Sequence, residues 1–213
     1  MIDAALHEAQ HGGLKHFVYS SVLHPRIRKL MNHDSKRYVE EYLIESGLNY
    51  TIVQPSHFLD PLPVSQLLQQ ETPIFSAKFD PDITFSFTVL KDLAEAFAKI
   101  LNEREKHYLA EYTACSTGPT SYTDVISVLG KEIGKPIQIE LLEYSKSAEI
   151  FEKAIAGNGA IPRTTRDTIQ RLMLYYNFYG IKGNTNVLEW LLGRKPTTVQ
   201  EFLHQKVLEC KGP

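Results

Sequence analysis

The chain is poor in the residues that announce a chemistry at once. Of its 213 residues only two are cysteine, Cys115 and Cys210, and their isolation matches no metal or C-x-x-C spacing. They read as buried or incidental thiols of a reducing compartment. None of the 12 glycines falls in a G-x-G-x-x-G or G-x-x-x-x-G-K-[ST] string, so no phosphate-cradling turn is encoded. No apolar run approaches the ~18 residues needed to span a bilayer. The opening MIDAALHEAQHGG carries Asp3 and no basic flank leading into an apolar core, so no signal peptide is expected. Neither sign of charge is in excess: a formal net charge of -2 gives no electrostatic reason to expect direct nucleic-acid binding or an anionic membrane. A cytoplasmic location is the default, with the nucleus left open, and there is no internal repeat or low-complexity tract.

What is present is an ordinary globular composition, 43% hydrophobic and 23% charged, long enough to bury a real core. The organising stretch runs from Lys15 to Phe58 and reads as strand, loop, helix, strand, loop. HFVYSSV (16–22) is a continuous apolar run closed by two serines, and YTIVQPSHF (50–58) is a second that meets a proline. Between them the pattern predicts a helix opened by Asp34 and Ser35, buried along Val39, Tyr42, Leu43 and Ser46, and stopped by Gly47. Lys36 lies on the flank of that stripe, within reach of the carboxyl end of the neighbouring strand. A lysine early on a helix between two buried strands belongs to the half of a nucleotide-binding sheet that meets a ligand's reactive end.

Before this unit, Ile2, Ala5, Leu6 and Ala9 share a helical face that Gly12-Gly13 ends. After it come a short helix around Val64 to Gln70 and a strand in which Ile83, Phe85, Phe87 and Val89 alternate with Thr84, Ser86 and Thr88, the pattern of a half-buried strand. A helix follows on Leu93, Phe97, Ile100 and Leu101, then a strand over 108–115. Ser121 and Asp124 predict a capped helix with Val125, Ile126, Leu129 and Ile133 inward. Lys135-Pro136 closes it, and Ile137, Ile139 and Leu141 suggest an edge strand. From Tyr144 the pattern is helical, broken at Asn158-Gly159, Pro162, Gly180, Gly183 and Gly193 to Pro196. Thr198 and Glu201 form the capping box of a last helix. The fold class is therefore α/β, with a mostly helical C-terminal lobe.

Several motifs carry chemistry in principle. His7-Glu8-Ala9-Gln10-His11 is a literal H-E-x-x-H, but at ~100° per residue its histidines lie opposite the Ile2/Leu6/Ala9 stripe and face solvent. A zinc hydrolase needs them in a cleft with a third ligand, so no catalytic metal is expected. Ser20 and Ser21 at a strand's carboxyl end either present hydroxyls to a ligand or satisfy local backbone groups. Lys36 either donates to a ribose hydroxyl or pairs with Glu40 four residues on. Pro55-Ser56-His57-Phe58 fixes a turn that suits a flat ring and equally suits a simple strand end. Tyr175, Tyr176, Phe178, Tyr179 and Trp190 either line an apolar pocket or belong to the core.

Taken in order, LKHFVYSSV, HDSKRYVEEYLIESGLNYTIVQPSHF, ITFSFTVLKDLAEAFAKIL and GRKPTTVQEFL resemble the NmrA-like family of atypical short-chain dehydrogenases, over essentially the whole chain. The resemblance implies a partial Rossmann-like, doubly wound parallel sheet over residues 1–115 and a substrate or partner lobe over 116–213. It implies NADP or NAD as cofactor, with Ser20, Ser21, Lys36 and Pro55, Ser56, His57 and Phe58 at the nicotinamide. Lys36 would be the lysine of the Y-x-x-x-K pair, whose tyrosine position is Asn32, and an amide exchanges no proton at a useful pKa. The opening βαβ units with their glycine-rich turn lie outside these 213 residues, as in a truncated copy, so weak dinucleotide binding and some self-association are expected. The family contains both redox-sensing regulators and NAD(P)H-dependent reductases. The expected partner is accordingly a small-molecule substrate or another protein, and Asn32 favours the regulator.

Overall fold

A computed structural model describes residues 1–157 and 159–211. The break expected at Asn158 lies outside the described residues. The chain begins with α1 (Ile2–Gln10), β1 (Phe17–Ser20), α2 (Met31–Glu45) and β2 (Tyr50–Pro55). After β3 (His57–Phe58), α3 (Val64–Gln69), β4 (Ile74–Ala77) and β5 (Thr84–Thr88) come α4 (Leu90–Glu103) and β6 (Ala110–Ala114). The remainder is β7 (Pro119–Ser121), α5 (Tyr122–Ile133), β8 (Gln138–Leu141), α6 (Tyr144–Ala156), α7 (Arg163–Tyr179), α8 (Asn186–Leu192) and α9 (Val199–Lys211).

The central sheet has the order β1-β2-β6 and is parallel throughout, with Phe17 opposite Tyr50 and Thr51 opposite Ala110. All six residues of β2 are buried, as a strand covered on both faces requires. One face packs Tyr19, Tyr50 and Ile52 against Ile2 and Ala5 of α1 and Leu43 of α2. The other packs Val53 and Ala114 against Leu93, Ala96 and Ile100 of α4 and Leu188, Leu191 and Leu192 of α8. Helices on both faces of a parallel sheet make this an α/β, Rossmann-like arrangement.

A second sheet, β3-β5-β7, joins β3 to β5 in parallel and β5 to β7 antiparallel, and β4 pairs in parallel with β8. Around them lies the largest apolar cluster, which runs from Leu23 through Phe85, Phe87 and Met173 to Val207. The mostly helical C-terminal segment therefore shares one core with the residues before it. Gly180 secures the junction: it ends α7 at φ +61, where a Cβ would lie 2.0 Å from the Thr84 carbonyl. Only glycine allows that approach, and it brings Ile181 into place to accept from the Ser86 N–H at 2.8 Å.

Three details differ from the sequence expectation. β5 is buried at every position but Thr84, because its hydroxyls face protein: Ser86 Oγ donates to the Gly183 carbonyl at 2.9 Å and Thr88 Oγ1 to that of Ala114. Alternation there records hydrogen-bonding side chains rather than water. α2 starts at Met31, three residues before Asp34, and its buried positions are His33, Glu40 and Leu43, whereas Tyr42 is exposed and donates its hydroxyl to Asp3 on α1. α4 turns Leu101 outward and Asp92 inward.

Asp92 is fully buried and joins three segments. Its carboxylate accepts from Ser116 Oγ, from Arg194, and from both the backbone N–H and the hydroxyl of Thr197, at 2.8–2.9 Å. Burial opposes ionisation, but these donors together outweigh it and hold the carboxyl below its ordinary range. A depressed carboxyl contributes stability above its unfolded-state pKa and loses it as pH falls through the folded one. Asp92→Asn should therefore cost roughly 3 kcal/mol at pH 7, read as a lower urea midpoint. The difference from the parent chain should close below about pH 4.

Candidate functional site

At the carboxyl end of β1, Lys36 Nζ donates to the Ser20 carbonyl at 3.0 Å and lies 4.9 Å from the centre of the Tyr19 ring. Because α2 begins at Met31, Lys36 sits in its second turn, where a long side chain reaches back over the strand end. The neighbouring backbone is pinned to β2: Ser21 N–H donates to Val53 and Leu23 N–H to Pro55, both at 2.8 Å. Ser20, Ser21, Lys36 and Pro55 thus meet at one strand-end edge. The Lys36–Glu40 pair is not formed; Glu40 turns inward, 6% exposed, and accepts from Gln54 Nε2 at 2.9 Å. Burial raises its carboxyl above the usual range, with Ser21 and Gln54 opposing.

Asn32, four residues before Lys36, is half-buried and its side-chain oxygen has no hydrogen-bond partner. Ser21 Oγ and Ser56 Oγ are likewise buried without a well-formed partner. The nearest groups to the two hydroxyls are the Glu40 carboxyl for Ser21 and the Cys115 thiol for Ser56. One residue from Asn32, His33 is fully buried and its Nε2 lies 3.3 Å from the hydroxyl of Tyr176 on α7.

His57 and Phe58 part from the other site residues, since β3 belongs to the second sheet. Phe58 is partly exposed. The His57 ring points into a box of Phe79, Phe85, Phe87, Tyr122 and Tyr176, with centroids 4.9–6.1 Å away, and its Nε2 meets the Tyr122 hydroxyl at 2.9 Å. The C-terminal aromatics divide in the same way: Tyr176 is core, whereas Phe178, Tyr179 and Trp190 are 56–71% exposed. His7 and His11 are both exposed.

Sequence reasoning missed His33 and Tyr122 in this region, and read Glu40 as a surface partner of Lys36 and Tyr176 only as pocket lining or core. A signal existed for Glu40: Gln54 is the lone amide in a strand whose other side chains, Thr51 apart, are apolar or aromatic, and such a group needs a buried partner. Tyr122 gave no signal beyond following the Ser121 cap.

Burial, with a lesser contribution from Lys78, pushes His57 down to about 4. The unfolded chain takes up this proton near ~6.5 and the folded chain only near 4, so stability falls as pH drops between the two values and levels off below. His57→Phe should flatten that limb of a urea-midpoint profile. His33 and His16 are also lowered by burial and will leave a residual slope.

Among the described residues no helix is long and apolar enough to cross a membrane. A comparison with curated proteins returns no match. Solved structures share the fold at low identity. The NADPH-dependent quinone oxidoreductase of Escherichia coli, complexed with NADPH, superposes with a TM-score of 0.73 at 21% identity, over 95% of this chain and 69% of its own. The triphenylmethane reductase of Citrobacter sp., complexed with NADP(H), gives 0.70 at 15%, over 95% and 68%. NmrA, a negative transcriptional regulator, in complex with NADP, gives 0.67 at 16%, over 100% and 71%. A model of the NmrA-like family matches residues 1–203, and the chain belongs to that NAD(P)-binding family.

Proposed function

We propose that this chain is a redox-sensing, regulatory member of its family, one that holds the nicotinamide half of NADP or NAD and turns over little or no substrate. The observation that carries the reading is the Lys36–Ser20 contact beside Asn32. Lys36 supplies a cation at a strand end, suited to a ribose hydroxyl. The amide at position 32 supplies no proton.

The residues present fit one half of the cofactor. Lys36, with the Ser21 hydroxyl that leans on Glu40, offers the mixture of donor and acceptor that a ribose and a carboxamide need. When bound, such a dinucleotide supplies hydride or accepts it. The side chains here bind and orient; the Asn32 amide hydrogen-bonds and does not titrate. For the pyrophosphate the 213 residues carry no glycine-rich turn, so their own affinity is low. The outer edge of β1 has no strand partner among the described residues and can pair with a further strand of this protein or of a partner.

A second reading, an NAD(P)H-dependent reductase, is favoured by one contact. The Tyr176 hydroxyl held by His33 brings a phenol from α7 to the residue beside Asn32, where it can donate a hydrogen bond to a substrate oxygen. Burial raises its pKa, so it acts as a donor rather than an acid near neutrality.

Calorimetric titration of NADPH and NADP+ into the 213-residue chain should give Kd values above about 100 µM, weakened further by Lys36→Ala; low-micromolar binding would contradict the proposal. Across a panel of quinones and enals, NADPH oxidation should stay near background. Turnover that falls at least about 10-fold in both Lys36→Ala and Tyr176→Phe would establish the reductase instead.

A further inference from the structure

The H-E-x-x-H string on α1 takes no part in the strand-end site, yet its geometry is specific. His7 and His11 lie one turn apart on the exposed face, with ring centroids 4.3 Å apart and planes tilted by 31°. The His11 ring nitrogen Nδ1 donates to the His7 carbonyl at 2.7 Å. The His7 Nδ1 faces the Glu8 carboxylate at 3.6 Å. The His11 contact puts that ring's proton on Nδ1 and leaves its lone pair on Nε2, and Glu8 stands near enough to His7 Nδ1 to take up the same role there. Carbonyl and carboxylate are the two partners that usually orient a metal-bound imidazole from behind.

We propose that His7 and His11 form a two-imidazole chelate for a borderline divalent transition-metal ion, Zn2+, Ni2+ or Cu2+, with water in the remaining positions. Two neutral imidazoles select these ions over Mg2+ and Ca2+, which prefer oxygen donors. The site is regulatory or structural rather than hydrolytic, because Glu8 lies behind His7 and the pair stands in open solvent, the His7 side chain being 69% exposed. The His11 ring is held by its carbonyl contact, and the exposed His7 ring has open space in which to turn toward it.

The consequence falls on α1. This helix has nine residues and no side-chain N-cap bond, a length at which helices are marginal on their own. It nevertheless supplies Ile2 and Ala5 to the cluster that covers β1. A metal bridging positions i and i+4 binds only the helical form and so stabilises it by mass action. Divalent metal would thereby tighten the layer over the strand that ends at Ser20.

The test is calorimetric titration of ZnCl2 and NiCl2 into the tag-free, metal-stripped chain, with hydrogen exchange followed across residues 2–10. The proposal expects one ion per chain with a Kd of about 1–100 µM and slower exchange in α1 on loading. His7→Asn and His11→Asn should each weaken binding at least about 10-fold, because two-ligand chelation is lost, while Glu8→Gln weakens it less. Binding that survives both histidine variants, or no binding tighter than about 1 mM, overturns it. An unchanged exchange rate in α1 at saturating metal overturns the stabilising role.

Discussion

β2 is buried at all six positions, and the need to satisfy every polar group on it sets the geometry of everything nearby. Its backbone is paired on one side by β1 and on the other by β6. Its side chains must find partners too. Thr51 donates to the His107 carbonyl and lies 2.8 Å from His16 Nε2, and Gln54 reaches Glu40. The last of these draws Glu40 off the helix surface, which fixes the rotation of α2 and turns Lys36 toward the end of β1. A buried unpaired amide costs more than a hydrogen bond returns, so this rotation is enforced rather than incidental.

That rotation links core packing to function. The lysine of the strand-end site is held by a backbone carbonyl, which leaves its charge available and its position set by the sheet. Around it stand Asn32 in the expected tyrosine position, the Ser21 hydroxyl against Glu40, and a tyrosine that arrives from a distant helix. The proposed role, recognition of a flat, polar ring rather than proton transfer, rests on this combination. The combination also makes the site depend on the C-terminal segment, because Tyr176 enters from α7 and Gly180 anchors that helix against β5.

Much of this was legible in the sequence. The strand–helix–strand unit, the capping boxes at Ser121 and Thr198 and the glycine stops were visible as local signals. The family was visible from four blocks in order. What escaped was the identity of buried polar residues. Alternating Thr and Ser in β5 read as facing water, and Glu40 read as a surface partner of Lys36, because periodicity reports polarity and not what the polar group touches. His57 was placed with the strand-end loop by its neighbours in sequence, whereas β3 passes into a second sheet and carries the ring into an aromatic core. Pairings of that range, such as His57 with Tyr122 and His33 with Tyr176, have no local signature.

The central claim is that these residues hold the nicotinamide end of a dinucleotide and not its adenine end. Saturation-transfer NMR on NADPH with the 213-residue chain reads this directly. The account predicts strong transfer to the nicotinamide ring protons, weak transfer to the adenine ring protons, and loss of the nicotinamide signal in Lys36→Met. Equal or stronger transfer to the adenine protons, unaffected by Lys36→Met, would contradict it.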